Sequence, residues 1–471
     1  MLNRSRWVWM TGVMLLFFMN GCAVNQDKDV QRYRDVLDAE QYTPEAVFHP
    51  EDPLTLAQAM KLANAHNEQL AIAGEDYLQT LINKDRAFAA FLPTISFAPA
   101  FMHQGETSLG AGNPLITEFV PTQTTDVPIT GNMTLNPFRD ARTFQAAGSS
   151  ARMKEALLLD RQSLLMLDVA ETYFQVMHSE KQAAVLQYSV QVGSQQLTDI
   201  RVKEKAGMAR PMDISLAEAQ LAKTRSNRIQ AENDVKTGRA MLAYLIGVPE
   251  VKGPFANDLQ IPAAEWQVES LLTLADSHRQ DLIAAHEQVK ASATSLEAAW
   301  GDYFPSISLN LSYYLSRESF PSDVDWTSLI RINVPIFSAG LIHADVRTAY
   351  SRLRQARLAE LHAQRQVVKD LIVAVENLRK DDQQINQLNI QVQATSESLK
   401  QSDAAVNAGI GTNLERLIAQ NGLLSAELSL SAAEFNRNVD YLRLLRVTGS
   451  LKPDISAGLP RAASNFSKIK K

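Results

Sequence analysis

A 3-4 spacing of apolar residues dominates residues 140–247. Up to Ala206 this stretch contains no proline, and its only glycines are Gly148 and Gly193, so nothing forces a helix to end. At ~1.5 Å per residue the pattern predicts a helix roughly 100 Å long, which a compact domain cannot enclose. A turn at 207–211 then predicts a second helix that runs back along the first.

The apolar positions predict that these two antiparallel helices pack along a coiled-coil seam. In the first helix the seam comprises Val176, Ala183, Val190 and Leu197, with Leu186, Gly193 and Ile200 interleaved. In the second it comprises Ile214, Ala217, Leu221, Thr224, Arg228, Ala231, Val235, Gly238, Leu242 and Leu245. Small residues on the seam allow close approach, and the intervening polar residues leave a hydrophilic face.

The chain contains two copies of one unit. The segment Phe91–Phe97 returns as Tyr303–Leu309, 212 residues later. After the strands the offset becomes 202, so the seam residues Val176, Ala183, Val190 and Leu197 correspond to Leu378, Ile385, Val392 and Leu399. An offset held this long predicts a duplicated architecture. Copy one spans about 53–247 and copy two about 266–449.

Each copy is predicted to begin with a helix and continue as a β-hairpin. The helices cover Leu56–Phe91 and Val268–Tyr303, with breaks near Asn67 and Arg279. A proline then changes the apolar period from 3.6 to 2. In copy two Ser306, Ser308, Asn310 and Ser312 alternate with Ile307, Leu309, Leu311 and Tyr313. The hairpins are expected over about 94–136 and about 305–337.

The second strand of each hairpin shows the same alternation. In copy two Ile330, Ile332, Val334 and Ile336 alternate with Arg331 and Asn333, and in copy one Val127, Ile129, Met133 and Leu135 alternate with Thr130, Asn132 and Thr134. Arg317–Asp325 is expected to be the loop in copy two. A longer loop, Gly105–Asp126, is expected in copy one, with all of its extra length as loop.

Two interpretations of the strands are open. One is an antiparallel sheet with one face on a soluble core. The other is a transmembrane barrel, favoured by the Ser, Thr and Asn on the polar faces, which suit a water-filled lumen. Tyr313, Tyr314 and Trp326 near the loop end would then form an interfacial aromatic girdle.

The beginning of the chain predicts export. Arg4 and Arg6 precede an apolar run, Trp7–Met19, of signal-peptide length. The only cysteine, Cys22, follows this run, and the segment resembles a bacterial lipoprotein signal in which the cysteine is lipidated, for example with palmitate. Ala23 after the cysteine implies the outer membrane, and a plain cleaved signal peptide is the alternative. No later stretch has 18 uncharged apolar residues, so no transmembrane helix is predicted.

Composition excludes several classes of function. The formal net charge of −6 argues against a nucleic-acid protein. The lone cysteine excludes an internal disulfide, and we expect no cysteine nucleophile. His286-Glu287 has Lys290 where a zinc helix needs its second histidine, and Gly409-Ile410-Gly411 lacks the rest of a phosphate loop. We expect no catalytic activity, no cofactor and no metal.

Four strands are too few to close a membrane barrel, and open sheet edges cannot lie in lipid. The long hairpins likewise have no globular body beside them. Both features predict that several chains assemble around one axis, so that their strands form one barrel and their helices pack side by side. The pattern alone does not give their number.

Several motifs of the sequence resemble those of the TolC-like outer-membrane efflux family, in its lipoprotein branch. The motifs are the doubled Phe91-Leu92-Pro93-Thr94-Ile95-Ser96 and Tyr303-Phe304-Pro305-Ser306-Ile307-Ser308, Val334-Pro335-Ile336-Phe337-Ser338-Ala339-Gly340, Ala206-Gly207 with Asp213, Ala217, Glu218 and Ala219-Gln220, and Ala408-Gly409 with Leu414-Glu415 and Ala419-Gln420. The resemblance implies a mainly α chain with a transmembrane β-barrel portion. It also implies a homotrimer with a twelve-stranded β-barrel above a twelve-helix α-barrel.

Residues outside the two copies are assigned by the same resemblance. We expect a signal peptide over 1–21, a lipidated N-terminal segment over 22–52, an equatorial linker over 248–265 and a C-terminal tail over 450–471. The last three would form a belt around the middle of the tunnel. The helical hairpins would cover about 140–247 and about 341–449.

The two helix turns are the candidate functional sites. The resemblance implies that Gly207, Met208, Ala209, Gly409, Ile410, Gly411 and Thr412 contact a periplasmic adaptor, and that Glu415 and its copy-one equivalent Asp213 line the pore aperture. The alternative is that the glycines simply end helices, because glycine tolerates positive φ.

Three functions are open. The first is a passive outer-membrane channel of a tripartite efflux system, which exports small amphiphilic compounds with an adaptor and an inner-membrane pump of the resistance-nodulation-division or ATP-driven type. The second is the duct of a type I protein or peptide secretion system. The third is a periplasmic coiled-coil tether, a lipoprotein without a pore.

Overall fold

The computed structural model describes residues 24–38, 48–105, 122–256, 259–262 and 266–453. The predicted signal peptide, Cys22 and nearly all of the predicted C-terminal tail lie outside these residues. None of the described helices carries an apolar stretch sufficient to cross a membrane.

The first part of the chain is mostly helical. Its elements are α1 (Gln26–Val36), β1 (Leu54–Thr55), α2 (Leu56–His66), α3 (Glu68–Ala89), β2 (Thr94–Phe97), β3 (Ala100–His103), β4 (Gln123–Leu135), α4 (Pro137–Lys205) and α5 (Pro211–Ile246). The helix α4 is 69 residues long. The structure therefore confirms the uninterrupted helix that the absence of proline predicts, and places its start three residues before Asp140.

The second part repeats this order. Its elements are β5 (Phe255–Ala256), α6 (Val268–His278), α7 (Gln280–Gly301), β6 (Ser306–Ser316), β7 (Trp326–Asn333), α8 (Leu341–Asn407) and α9 (Asn413–Val447). The helices α4 and α5 form one hairpin and α8 and α9 form the other, while α9 also packs on α4. Near the strands, α7 packs between α4 and α8.

The coiled-coil seam is largely buried within each hairpin. In the α4–α5 hairpin, Leu197 and Ile200 pack against Ala217 and Leu221, with Val190 and Ile214 at their margin. The main core lies further from the turn, where α2 and α3 pack against α4 and where Tyr173, Leu371 and Leu442 are buried. The parallel pair β1–β5 joins this core through the Tyr173 hydroxyl, which donates to the Leu54 carbonyl at 2.7 Å.

Both predicted helix breaks are present, and each receives the end of a long helix. At the first break the Asn67 Nδ2 donates to the Leu245 carbonyl at 3.0 Å, while its Oδ1 accepts from the Leu70 amide at 3.1 Å. Gly247 has a φ of 69° and lies so close to His66 that a Cβ would sit 2.8 Å from the His66 Cβ. In copy two Gly449 meets His278 in the same way.

The N-terminal helix α1 packs on α3, and Tyr33 is its buried side chain at this contact. Tyr33 is buried against Gly74, where a Cβ would overlap the tyrosine ring. Because Gly74 has no Cβ, it leaves the space that the Tyr33 ring needs for α1 to pack on α3.

Valine in place of Gly74 is expected to displace Tyr33 and to detach α1. Overpacking of this kind costs about 1–3 kcal/mol, so trypsin should cleave after Lys28, Arg32 and Arg34 on the order of tenfold faster in the full-length protein. Gly148→Val is the matched control, because a Cβ there has no neighbour closer than 4.0 Å. Equal cleavage rates in the two variants would contradict this role of Gly74.

The strands form one antiparallel sheet in the order β2–β4–β6–β7, with β3 also paired to β4. The strand β4 of copy one pairs directly with β6 of copy two, so that Met133 lies opposite Leu309 and Asn132 opposite Asn310. The predicted apolar residues of the two copies therefore share one face, and the Ser, Thr and Asn residues share the other. On the polar face the Ser96 and Thr130 hydroxyls are hydrogen-bonded at 2.7 Å.

The structure corrects three details of the predicted strands. Gln123–Asp126 is strand rather than loop, because it pairs with β3. The strand β7 ends at Asn333, before Val334 and Ile336, since Pro335 has no N–H to donate. Tyr314 lies on the face opposite Tyr313, as alternation along β6 requires, and the Arg317 guanidinium covers its ring at 4.4 Å.

Candidate functional site at the two helix turns

The turn between α4 and α5 and the turn between α8 and α9 have the same backbone geometry. Gly207 and Gly409 both have a φ of 76°. In the first turn the Gly207 amide donates to the Glu204 carbonyl at 2.8 Å, and the Met208 amide donates to the Lys203 carbonyl at 2.8 Å. This Schellman arrangement requires a left-handed residue after the helix, which glycine adopts without strain.

The second turn has the same arrangement and is wound more tightly. The amides of Ile410 and Gly411 both donate to the Ala405 carbonyl at 3.0 Å. A Cβ at Gly411 would lie 2.8 Å from the Ala405 Cβ, whereas the equivalent position of copy one carries Ala209. Gly207 and Gly409 therefore have equivalent roles, whereas the residue two positions later differs, because the second turn has no room for the side chain that Ala209 carries in the first.

The candidate aperture residue Glu415 forms the helix cap of α9. Its Oε2 accepts from the Thr412 amide at 2.8 Å, and its own amide donates to the Thr412 hydroxyl at 3.2 Å. This is a capping box. The Thr412 amide lowers the pKa of Glu415, so the cap contributes above the ordinary carboxyl pKa and weakens as the pH falls through the lowered value.

Asp213, the copy-one equivalent, is bound to Arg210. Its Oδ1 accepts from Arg210 Nη2 at 3.0 Å, and its Oδ2 accepts from the Arg210 amide at 3.1 Å. The guanidinium contact is the main cause that lowers the pKa of Asp213. The structure thus gives both candidate aperture carboxylates a capping contact, which the Thr-x-x-Glu pattern at Thr412–Glu415 could have indicated from sequence.

Each turn also presents an apolar stripe to solvent, of which the sequence had indicated only Met208 and Ile410 as contact residues. In copy one the stripe is Met208, Met212 and Leu216, and in copy two it is Ile410, Leu414 and Ile418. Within each helix the two members are four residues apart and so share one side, and Met208 or Ile410 lies in the turn just before them. Met208 is 72% exposed and Ile410 is 85% exposed. Apolar groups aligned at matching positions in both copies are typical of a contact surface.

Histidine and acidic residues do not form a metal site in the described part of the chain. His286 Nδ1 lies 2.9 Å from Glu360 Oε1, and Glu287 binds both Arg152 and Lys290. These side chains are thus engaged with neighbours within α7 and on α4 and α8.

Comparison with known proteins shows what this chain is similar to. Residues 271–450 match the family described as Outer membrane efflux protein. The chain is 24% identical over 367 residues to the outer membrane efflux protein BepC of Brucella suis, covering 74% of this chain and 77% of BepC. It is 21% identical over 331 residues to the outer membrane protein TolC of Vibrio cholerae, covering 67% of this chain and 76% of TolC. The chain is therefore similar to outer membrane efflux proteins, over residues 271–450 for the family and over 367 and 331 residues for these two relatives.

The solved structures agree in fold. The outer membrane protein VceC from Vibrio cholerae superposes with a TM-score of 0.74 at 17% identity, covering 84% of this chain and 96% of VceC. The family match and the relatives, rather than this structure alone, confirm the resemblance inferred from the doubled motifs and the outer membrane location. The family consists of channel proteins rather than enzymes.

Proposed function

We propose that three copies of this chain form a passive duct through the outer membrane and across the periplasm. The sheet is the observation that carries the proposal. Within the described residues its outer strands, β2–β3 on one side and β7 on the other, each have one edge without a strand partner. In lipid such edges must be paired, and pairing between copies closes the sheet.

The two faces of the sheet support a wall between lipid and water. Ile95, Phe101, Leu311, Ile330 and Ile332 are exposed apolar residues of the strands. The opposite face carries hydrogen-bonded Ser96, Thr130, Asn132 and Asn310. Four strands a chain would give a twelve-stranded barrel in the trimer, and the two hairpins a chain would give a twelve-helix tunnel.

We infer that the turns dock on a periplasmic adaptor. The apolar stripes lie at the ends of hairpins that have no other described partner there, so a partner with an apolar surface would cover them. The adaptor would connect the duct to an inner-membrane pump of the resistance-nodulation-division or ATP-driven type. Small amphiphilic compounds are the proposed cargo, and lipidated Cys22 is the proposed additional anchor.

Single-channel recording in planar bilayers tests the duct directly. We expect the purified full-length protein to migrate as a trimer on gels when unheated, and to conduct ions after reconstitution. Salt extraction from membranes together with absence of conductance, in the wild type and in Glu415→Ala, would contradict the duct. That result would support the non-pore tether instead.

A further inference from the structure

Two acidic side chains face each other inside the second hairpin. Asp381 on α8 is 0% exposed and Asp440 on α9 is 4% exposed. Both carboxyl oxygens of Asp381 are buried, and neither accepts a well-aligned hydrogen bond from the described residues. Asp440 acts on Asp381 both as a neighbouring charge and as a hydrogen-bonding partner, so the two carboxyls are adjacent. Two carboxylates can only accept hydrogen bonds, so the contact is satisfied when one of them carries a proton.

Nearby cations do not neutralise the pair completely. Lys380 Nζ lies 3.1 Å from Asp381 Oδ1 but is more than half exposed. Arg443 Nη1 lies 3.0 Å from Asp440 Oδ1 and also binds Glu171 of α4, at 2.8 Å through Nε. Two cations, Lys380 and Arg443, therefore pair with three carboxylates, those of Asp381, Asp440 and Glu171. If all three are ionised, one negative charge is not neutralised.

The remaining charged groups at this level are already paired with one another. They are Arg437 with Asp382, Lys181 of α4 with Glu434, and Arg379 with Glu376. His178 of α4 also lies close by, and burial lowers its pKa, so the neutral ring is favoured. The unpaired charge is thus not offset by another side chain around the pair.

Copy one builds the same helix crossing without an acidic residue at either of these two positions. The positions equivalent to Asp381 and Asp440 are Ser179 and Gly238. Ser179 is buried, and a Cβ at Gly238 would lie 2.9 Å from Val176 Cγ2, so the two helices are in close contact there. The acidic pair is therefore a feature of the second hairpin alone and is not required by the repeated fold.

Burial is the main reason that the pKa of Asp381 lies above its ordinary value; Lys380 opposes this effect and Asp440 adds to it. The folded chain then holds a proton at a pH where the unfolded chain has lost it. The stabilising contribution is full below the unfolded pKa and is lost as the pH rises through the folded pKa.

We propose that Asp381 and Asp440 form a proton-binding site that makes the packing of α8 against α9 pH-dependent. With one shared proton the carboxyls are hydrogen-bonded and the hairpin is closed at this level. Without it, two like charges repel each other in a water-poor environment and the helices separate more readily. Since Asp381 is already fully buried within one chain, the site does not depend on the proposed trimer.

Hydrogen exchange of the full-length detergent-solubilised protein tests this site. After correction for intrinsic rates, amides of 375–388 and 434–447 should exchange about tenfold faster at about pH 8 than at about pH 4, which is near the ordinary aspartate pKa. The equivalent copy-one segments, 173–186 and 232–245, are the internal control and should show no such change.

Asp381→Asn should abolish this difference, because its amide donates to Asp440 at every pH. Asp382→Asn is the matched control, since this neighbouring carboxylate is exposed and paired with Arg437, and it should keep the difference. Asp440→Asn removes the other carboxylate of the pair and should have the same effect. The site would be disproved if copy two were no more pH-sensitive than copy one, or if both asparagine variants of the pair kept the wild-type dependence.

Discussion

Aspartate in place of Ile410 is expected to reduce the yield of the chain–adaptor complex by at least about tenfold. Ile410 is the most exposed residue of the two stripes and lies at the extreme end of the second hairpin. A partner that covers it would have to bury the new carboxylate without a counter-charge, which costs several times the free energy of a tenfold change. The measurement is mild crosslinking in whole cells, with the adaptor identified by mass spectrometry from the wild type.

Ile390→Asp is the matched control for this prediction. Ile390 is 61% exposed on α8, but it lies 17 residues before the helix ends at Asn407, roughly 25 Å from the turn. It should leave the complex unchanged if the stripe is the contact surface. Equal losses in both variants would indicate a general effect of added charge, and no loss in Ile410→Asp would remove the second turn from the contact.

Met208→Asp tests whether the turn of copy one also contacts the adaptor. Met208 is the copy-one equivalent of Ile410, and the two turns share their hydrogen-bonding pattern up to Gly411. If Met208→Asp lowers the yield of the chain–adaptor complex as much as Ile410→Asp does, the adaptor contacts both turns. A smaller loss would follow from the tighter winding of the second turn, where Gly411 approaches Ala405.

The long helices and the sheet faces could be predicted because each depends on local sequence. Absence of proline allows α4 to continue for 69 residues, and alternation along β6 assigns Leu309 and Asn310 to opposite faces. The shared register of β4 and β6 then follows from matching apolar faces. Pro335 shows the limit of this approach, because the alternation continues to Ile336 whereas the strand ends at Asn333.

Contacts between elements distant in sequence could not be predicted in the same way. Asp381 and Asp440 look like ordinary solvated residues of polar helices, and only the packing of α8 on α9 shows that they are buried together. The space occupied by Tyr33 against Gly74 is likewise invisible until α1 is placed on α3. Glu415 is an intermediate case, since its capping partner is only three residues away.

Glu415 therefore needs variants that separate its two possible roles. Glutamine retains a side-chain oxygen that can accept from the Thr412 amide, but it removes the negative charge. Alanine removes both the charge and the acceptor. If Glu415 contributes to a ring of charge at the pore aperture, Glu415→Gln should lower the cation selectivity of reconstituted channels and weaken the dependence of conductance on salt.

Hydrogen exchange at the turn completes the comparison. Glu415→Gln should keep the protection of the first turn of α9, whereas Glu415→Ala should lose it because the Thr412 amide has no acceptor. A selectivity change in both variants, with lost protection only in alanine, would assign Glu415 to the aperture as well as to the cap. If glutamine left selectivity at the wild-type value, Glu415 would be a capping residue alone, and the aperture would have to be formed by other side chains near the second turn.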